Sequence, residues 1–150
     1  MESIDTKAPM HLWIVGGLAT LWNAFGCYDY FMTRTQGADY IEAMMHTADG
    51  EAIMAYIDSF PVWASTAWAL GVWGGLAGSI LLLLRHRLAV IVLGVSFLGA
   101  LVGIGYQLLN PAGIAEMSEG INKVMPYVII AVAGLLFFYA RAMKAKGVLR

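Results

Sequence analysis

Asp29 is the residue that most needs explaining. It stands in Tyr28-Asp29-Tyr30 toward the end of a long apolar run. An isolated Asp costs roughly 2.5–3.5 kcal/mol at the middle of a bilayer on insertion scales, so such a residue marks a functional site by default. On helical spacing Trp22, Gly26 and Asp29 share one stripe, with Asn23, Cys27 and Tyr30 beside it. Trp63, Ser65, Thr66, Trp68 and Trp73 lie in the first part of a second apolar run, Tyr106 and Gln107 close a third, and Tyr127 opens a fourth. Aromatic faces around a carboxylate suit a cationic or polyhydroxylated ligand. The candidate ligand-binding set is therefore Trp22, Asn23, Asp29, Trp68, Trp73, Tyr106, Gln107 and Tyr127. This is recognition chemistry, not catalysis. No Walker loop, nucleophile elbow, HExxH or CxxC is present, and the chain does not read as an enzyme.

A plainer reading competes with that one. Trp and Tyr gather at membrane interfaces as belts, which accounts for Trp63, Tyr28, Tyr106 and Tyr127, and a shallow Asp can face water. It does less well with Trp22, Trp68 and Trp73, which lie deeper, and it leaves the amide of Asn23 without a stated partner. Asp39, Glu42 and His46 share a face that could hold a metal, but a solvated acidic face is the simpler account, and no metal is assigned. His11 and His86 sit at a boundary where headgroup contact is usual. No two His residues fall at matching depth, so no haem or other cofactor is expected. Cys27 reads as packing.

The elements that hold these residues follow from composition. Hydrophobic residues make up 60% of the 150 positions and charged residues 13%, against a globular norm of roughly 25%. The net charge is −1 and there is one Cys. Disorder, nucleic-acid binding and a disulfide scaffold are excluded. A helix needs about 20 apolar residues to cross a bilayer, and four stretches qualify: 11–32, 60–84, 88–109 and 124–140. The expected fold is all-α, a polytopic membrane protein with a four-transmembrane-helix bundle forming a single domain. Asp58 or Ser59 should cap the second span, with Pro61 in its first turn; Pro126 should likewise fall in a first turn. Residues 85–87 make a tight turn between antiparallel spans. The N-terminus, with Glu2 and Asp5 against Lys7, reads as part of the first span and not as a cleaved signal. In the first loop, 33–59, Ile41, Met44, Met45 and Ala48, then Ile53, Tyr56 and Ile57, have helical spacing and suggest one or two short amphipathic helices. The loop 110–123 has room for a helical turn around 112–118.

Orientation follows from the cations. Lys7, Arg85, Arg87, Arg141, Lys144, Lys146 and Arg150 fall on one side, seven of the nine Lys and Arg, leaving Arg34 and Lys123 on the other. Both termini and the 85–87 turn are expected in the cytoplasm, with 33–59 and 110–123 external. The external halves of all four spans then carry the aromatic and polar residues, while the internal halves are plain. Small residues supply close helix contacts: Ala67, Gly71, Gly75 and Ser79 recur every four positions beside Gly74 and Gly78, with Ser96, Gly99 and Gly103 on the next span. This ridge predicts intramolecular packing, with a homodimer seam as the alternative.

Several segments carry a resemblance. Leu21-Trp22-Asn23-Ala24-Phe25-Gly26 with Tyr28-Asp29-Tyr30, Phe60-Pro61-Val62-Trp63, Trp68-Ala69-Leu70-Gly71-Val72-Trp73-Gly74-Gly75 and Tyr139-Ala140-Arg141-Ala142-Met143 are similar to a group of small proteobacterial inner-membrane proteins loosely labelled sugar transporter. The resemblance covers nearly the whole chain. It implies that the deep Trp set, with Asn23 and Asp29, would carry a sugar. Two functions follow: a small solute-binding or transporting inner-membrane protein, with an oligomer expected, or a non-catalytic accessory or scaffold subunit of a larger membrane complex.

Overall fold

The computed structural model describes residues 7–46 and 49–150. The acidic residues Glu2 and Asp5, and Ala48 of the expected first-loop stripe, lie outside that range. Among the described residues every regular element is helical: α1 (Met10–Gln36), α2 (Ala38–Met45), α3 (Gly50–Asp58), α4 (Val62–Leu83), α5 (Ala89–Leu109), α6 (Ala115–Ser118) and α7 (Gly120–Ala145). Three of them, α4, α5 and α7, are long and apolar enough to cross a membrane. At 27 residues α1 has the length as well, but Trp13, Trp22, Asn23 and Asp29 dilute its hydropathy.

The element boundaries depart from the expected ones where local chemistry differs. α1 runs four residues past Met32 and stops at Gly37, whose φ of 59° admits the turn. Neither Asp58 nor Ser59 caps α4. Asp58 instead pairs with Arg34 at 3.3 Å, Ser59 donates its hydroxyl to the Tyr56 carbonyl at 2.6 Å, and the extended Pro61 precedes the helix. Pro126 is not in a first turn either. α7 begins at Gly120, so Pro126 sits inside it and removes the N–H that would reach back to the Asn122 carbonyl.

The long helices pack in the order α1, α4, α5, α7, each against the next. The α4–α5 pair is antiparallel, joined through the turn at Arg85, where φ is 58°. Its seam is made of small residues. A Cβ on Gly71 would sit 3.1 Å from the Ala100 nitrogen, one on Gly78 2.6 Å from Leu93, and one on Gly99 2.6 Å from the Ala67 carbonyl. The expected ridge thus serves packing within the chain, and Ser96 adds a hydrogen bond to the Gly71 carbonyl at 2.6 Å. Gly17 and Gly26, by contrast, meet nothing within 4 Å.

The apolar core gathers at the end that holds the 85–87 turn. Leu12, Leu82, Leu93, Leu136, Ala140 and Met143 are buried there, and Val148 and Leu149 fold back onto them. The chain end pairs with the turn, as Arg150 N donates to the Arg85 carbonyl and Arg87 N to the Arg150 carbonyl, both at 2.7 Å. At this end α1 also meets α7, where His11 Nδ1 and the Tyr139 hydroxyl share a hydrogen bond of 2.5 Å.

Candidate functional site

Away from that end α1 and α7 share no extended interface, and a cleft of about 590 Å³ lies between them. Its back wall is the small-residue surface of α4 and α5, including Gly71, Gly75, Ser96 and Gly99. One flank is α1, with Trp22, Asn23, Phe25, Asp29 and Thr33; the other is α7, with Met125, Pro126, Ile129, Ala133 and Leu136. Tyr40 and Ile41 of α2, Ile53 and Tyr56 of α3, and Met117 close in from the far end. The volume falls within the roughly 300–1,000 Å³ typical of small-molecule sites. Several flank residues are also surface residues: Phe25 is 56% exposed, Trp22 38%, Ile129 37% and Ile121 69%. The cleft is therefore open along its side, between α1 and α7.

Asp29 stands toward the short-helix end. One of its carboxylate oxygens accepts a hydrogen bond of 2.8 Å from the Tyr40 hydroxyl, and Tyr28 meets the Tyr40 ring edge-on at 6.3 Å. Burial, and then the hydrogen bond and negative charge of Asp29, push the Tyr40 phenol well above its usual range. A shared wall thus holds a carboxylate and a phenol that stays protonated at neutral pH. Trp68 lies in the same cleft with Tyr30 packed edge-on against it at 4.7 Å.

Asn23 is both wall and fastener. Its amide nitrogen donates to the Ala19 carbonyl at 2.8 Å and to the Ser79 hydroxyl at 3.1 Å, and Ser79 in turn donates to the Gly75 carbonyl at 2.8 Å. This chain ties α1 to α4, and it supplies the partner that the amide lacked in the sequence. Gln107 lines the cleft near its short-helix end. Just beyond it the Tyr56 hydroxyl donates to the Asn110 carbonyl at 2.6 Å, fixing α3 over the end of α5.

Trp22, Asn23, Asp29, Trp68 and Gln107 thus share one cleft; Trp73, Tyr106 and Tyr127 do not line it. Helical geometry explains the division. Trp73 follows Trp68 by five residues, about 140° around the axis, and its ring lies on the exposed side with Tyr30 at 6.3 Å. Tyr106 belongs to an edge-to-face ladder, 5.1 Å from Phe60 and 5.2 Å from Trp63, and the ladder continues from Phe60 to Tyr56 at 5.0 Å. Tyr127 is exposed on α7.

The sequence reading missed the α7 flank. Met125, Ile129, Val132 and Leu136 recur at helical spacing, but in a membrane span the same pattern fits a lipid-facing stripe. Tyr40 gave no signal, because its link to Asp29 depends on how α2 folds back. The remaining candidates have local explanations. Among the described residues no three His, Cys, Asp or Glu side chains cluster to hold a metal, so Asp39, Glu42 and His46 form no such group. His86 Nδ1 accepts from the Leu88 N–H at 3.2 Å, and Cys27 lies buried with its Sγ 3.5 Å from the Val72 carbonyl.

The class defined here is an all-α chain with three helices fit to cross a membrane and a cleft between its first and last long helices. Comparison with family models, with curated proteins and with solved structures finds no match to this chain.

Proposed function

We propose that this chain is a four-span protein of the bacterial inner membrane that binds a small solute in the α1–α7 cleft and moves it across the bilayer. α1 is the fourth span, and α2 and α3 lie with their apolar faces on the external side. The asymmetry of Lys and Arg puts both ends of the sequence and the 85–87 turn in the cytoplasm, so that the Asp29 end of the cleft faces outward. The observation that supports this reading best is the convergence of Asp29, Trp68 and Gln107, from three different helices, on one cleft. A lone carboxylate in an aromatic wall attracts cations and accepts hydrogen bonds from hydroxyls, the two headgroup chemistries such a site takes. A cramped set of four helices would work as an oligomer.

The test is uptake into proteoliposomes, with radiolabelled tetraethylammonium and glucose as probes. Uptake of either that Asp29→Asn abolishes supports the proposal. If neither probe moves, and the chain co-purifies with one stable partner whether or not Asp29 is intact, the accessory-subunit reading replaces it.

A further inference from the structure

We infer that the ligand of this cleft is a lipophilic cation, with an ammonium head at Asp29 and a single apolar chain lying against the α4–α5 wall. The inference rests on the solute-binding reading above and specifies its ligand. The charge around the cleft sets the head. Among the described residues that line the cleft, Asp29 is the sole carboxylate, and no Lys or Arg joins it. Tyr40 engages one carboxylate oxygen, and Pro126 deprives the Asn122 carbonyl of its helical donor at the same end, so the formal charge there is negative and the remaining polar groups are neutral. Trp68 and Tyr40 add aromatic rings to the lining, the side chains that favour a cation. An anionic head would meet the Asp29 charge with no lining cation to offset it.

The deeper wall sets the tail. The donors there are already committed, the Asn23 amide nitrogen to Ala19 and Ser79 and the Ser96 hydroxyl to the Gly71 carbonyl, which leaves few polar partners along an otherwise apolar wall. A sugar placed at that depth would leave its hydroxyls unpaired against Gly, Ala, Leu and Ile. The apolar flank is long. Ile121 and Leu136 are both lining residues on α7, and 15 residues of helix span about 22 Å. A small cation alone would leave most of the 590 Å³ empty. The side opening past Phe25 and Ile129, facing lipid in the proposed topology, lets a chain enter without crossing water.

The experiment uses the full chain in lipid nanodiscs, with tryptophan fluorescence titrated against empty-disc controls. The probes are decyltrimethylammonium, tetramethylammonium, decanoate and decyl glucoside, alongside glucose. Decyltrimethylammonium is expected to saturate, with about tenfold weaker binding in Asp29→Asn and a similar loss in Ala133→Trp, which fills the apolar cleft. Tetramethylammonium should bind about a hundredfold more weakly or worse, having lost the chain. Unchanged melting of both variants shows that they are folded. A decyltrimethylammonium signal indifferent to Asp29, or matched by decanoate or decyl glucoside, overturns the inference. Asp29-dependent saturation by glucose or tetramethylammonium at equal affinity also overturns it, while leaving the polar-solute proposal standing. If no probe shows Asp29-dependent binding, both fall together.

Discussion

The two ends of this molecule treat the same four long helices in opposite ways. Around the 85–87 turn they converge on an apolar cluster, with Leu12 and Leu82 fully buried and the chain end folded over them. Around α2, α3 and α6 the first and last helices separate, and the gap is bounded by short helices tied down through single side chains. Those ties are Tyr40 to Asp29, Tyr56 to Asn110 and Arg34 to Asp58. The contrast shows where polar residues are tolerated. One end gathers apolar side chains and gains packing; the other spends packing to keep a carboxylate, two Trp and three amides on a shared surface.

Truncation inside the closed end should have the largest effect. Leu82→Ala removes a fully buried side chain, and the expected loss is about 2–5 kcal/mol in equilibrium unfolding. The same truncation at Met44, an exposed residue on the cleft, should cost under about 1 kcal/mol. Equal losses would abolish the distinction drawn between the two ends.

At the open end, Tyr40→Phe is expected to cost about 1.5–3 kcal/mol, because it removes a hydrogen bond to a charged partner. The loss should be local. Amide exchange should quicken across α2 and leave the α4–α5 seam as it was. Exchange that quickens uniformly would mean the short helices are integral to the core.

Next in size is the seam that supports both ends. Gly99→Ala forces a Cβ against the Ala67 carbonyl and the Gly71 nitrogen, which are backbone and cannot rotate away. The expected cost is about 1–3 kcal/mol. Gly17→Ala meets open space inside α1 and should stabilise by about 0.5–1 kcal/mol through helix propensity. A reversal of that order would move the close-packed surface from the α4–α5 interior to the outer face of α1.

Helix content and the α4–α5 seam were legible because both are written at short range. Apolar runs of bilayer length, and small residues every fourth position, need no tertiary knowledge. The cleft was legible in part. Asp29, Asn23 and Trp68 stood out as costly or deep, and those three do share a surface. Trp73 stood out as deep but points elsewhere, since depth in a span says nothing about azimuth, and Tyr106, read as a belt residue, joins the ring ladder with Phe60 and Trp63. The α7 flank escaped notice because a cleft wall made of Met, Ile and Ala has the composition of any lipid-facing stripe. Pro126 misled through a rule that is sound for helix starts; α7 begins six residues earlier. Tyr40 could not be foreseen, because its bond to Asp29 joins two helices across a reversal at Gly37.

The smallest expected effect is a titration that separates the ends spectroscopically. Tyr40 and Tyr56 both have phenols raised above the usual value, mainly by burial, with Asp29 adding to the first and Tyr106 to the second. A phenol raised in the folded state favours folding while it stays protonated. That contribution is complete below the unfolded value of about 10 and is lost as pH climbs through the folded value. Among the seven tyrosines, phenolate absorbance should therefore show a late component in the native protein that disappears on unfolding. Tyr40→Phe should remove the most alkaline part of it, and Leu82→Ala, while the protein remains folded, should leave it in place. If Leu82→Ala collapses the late component and Tyr40→Phe does not, then the alkaline shift belongs to the closed end, and the cleft has no buried phenol beside its carboxylate.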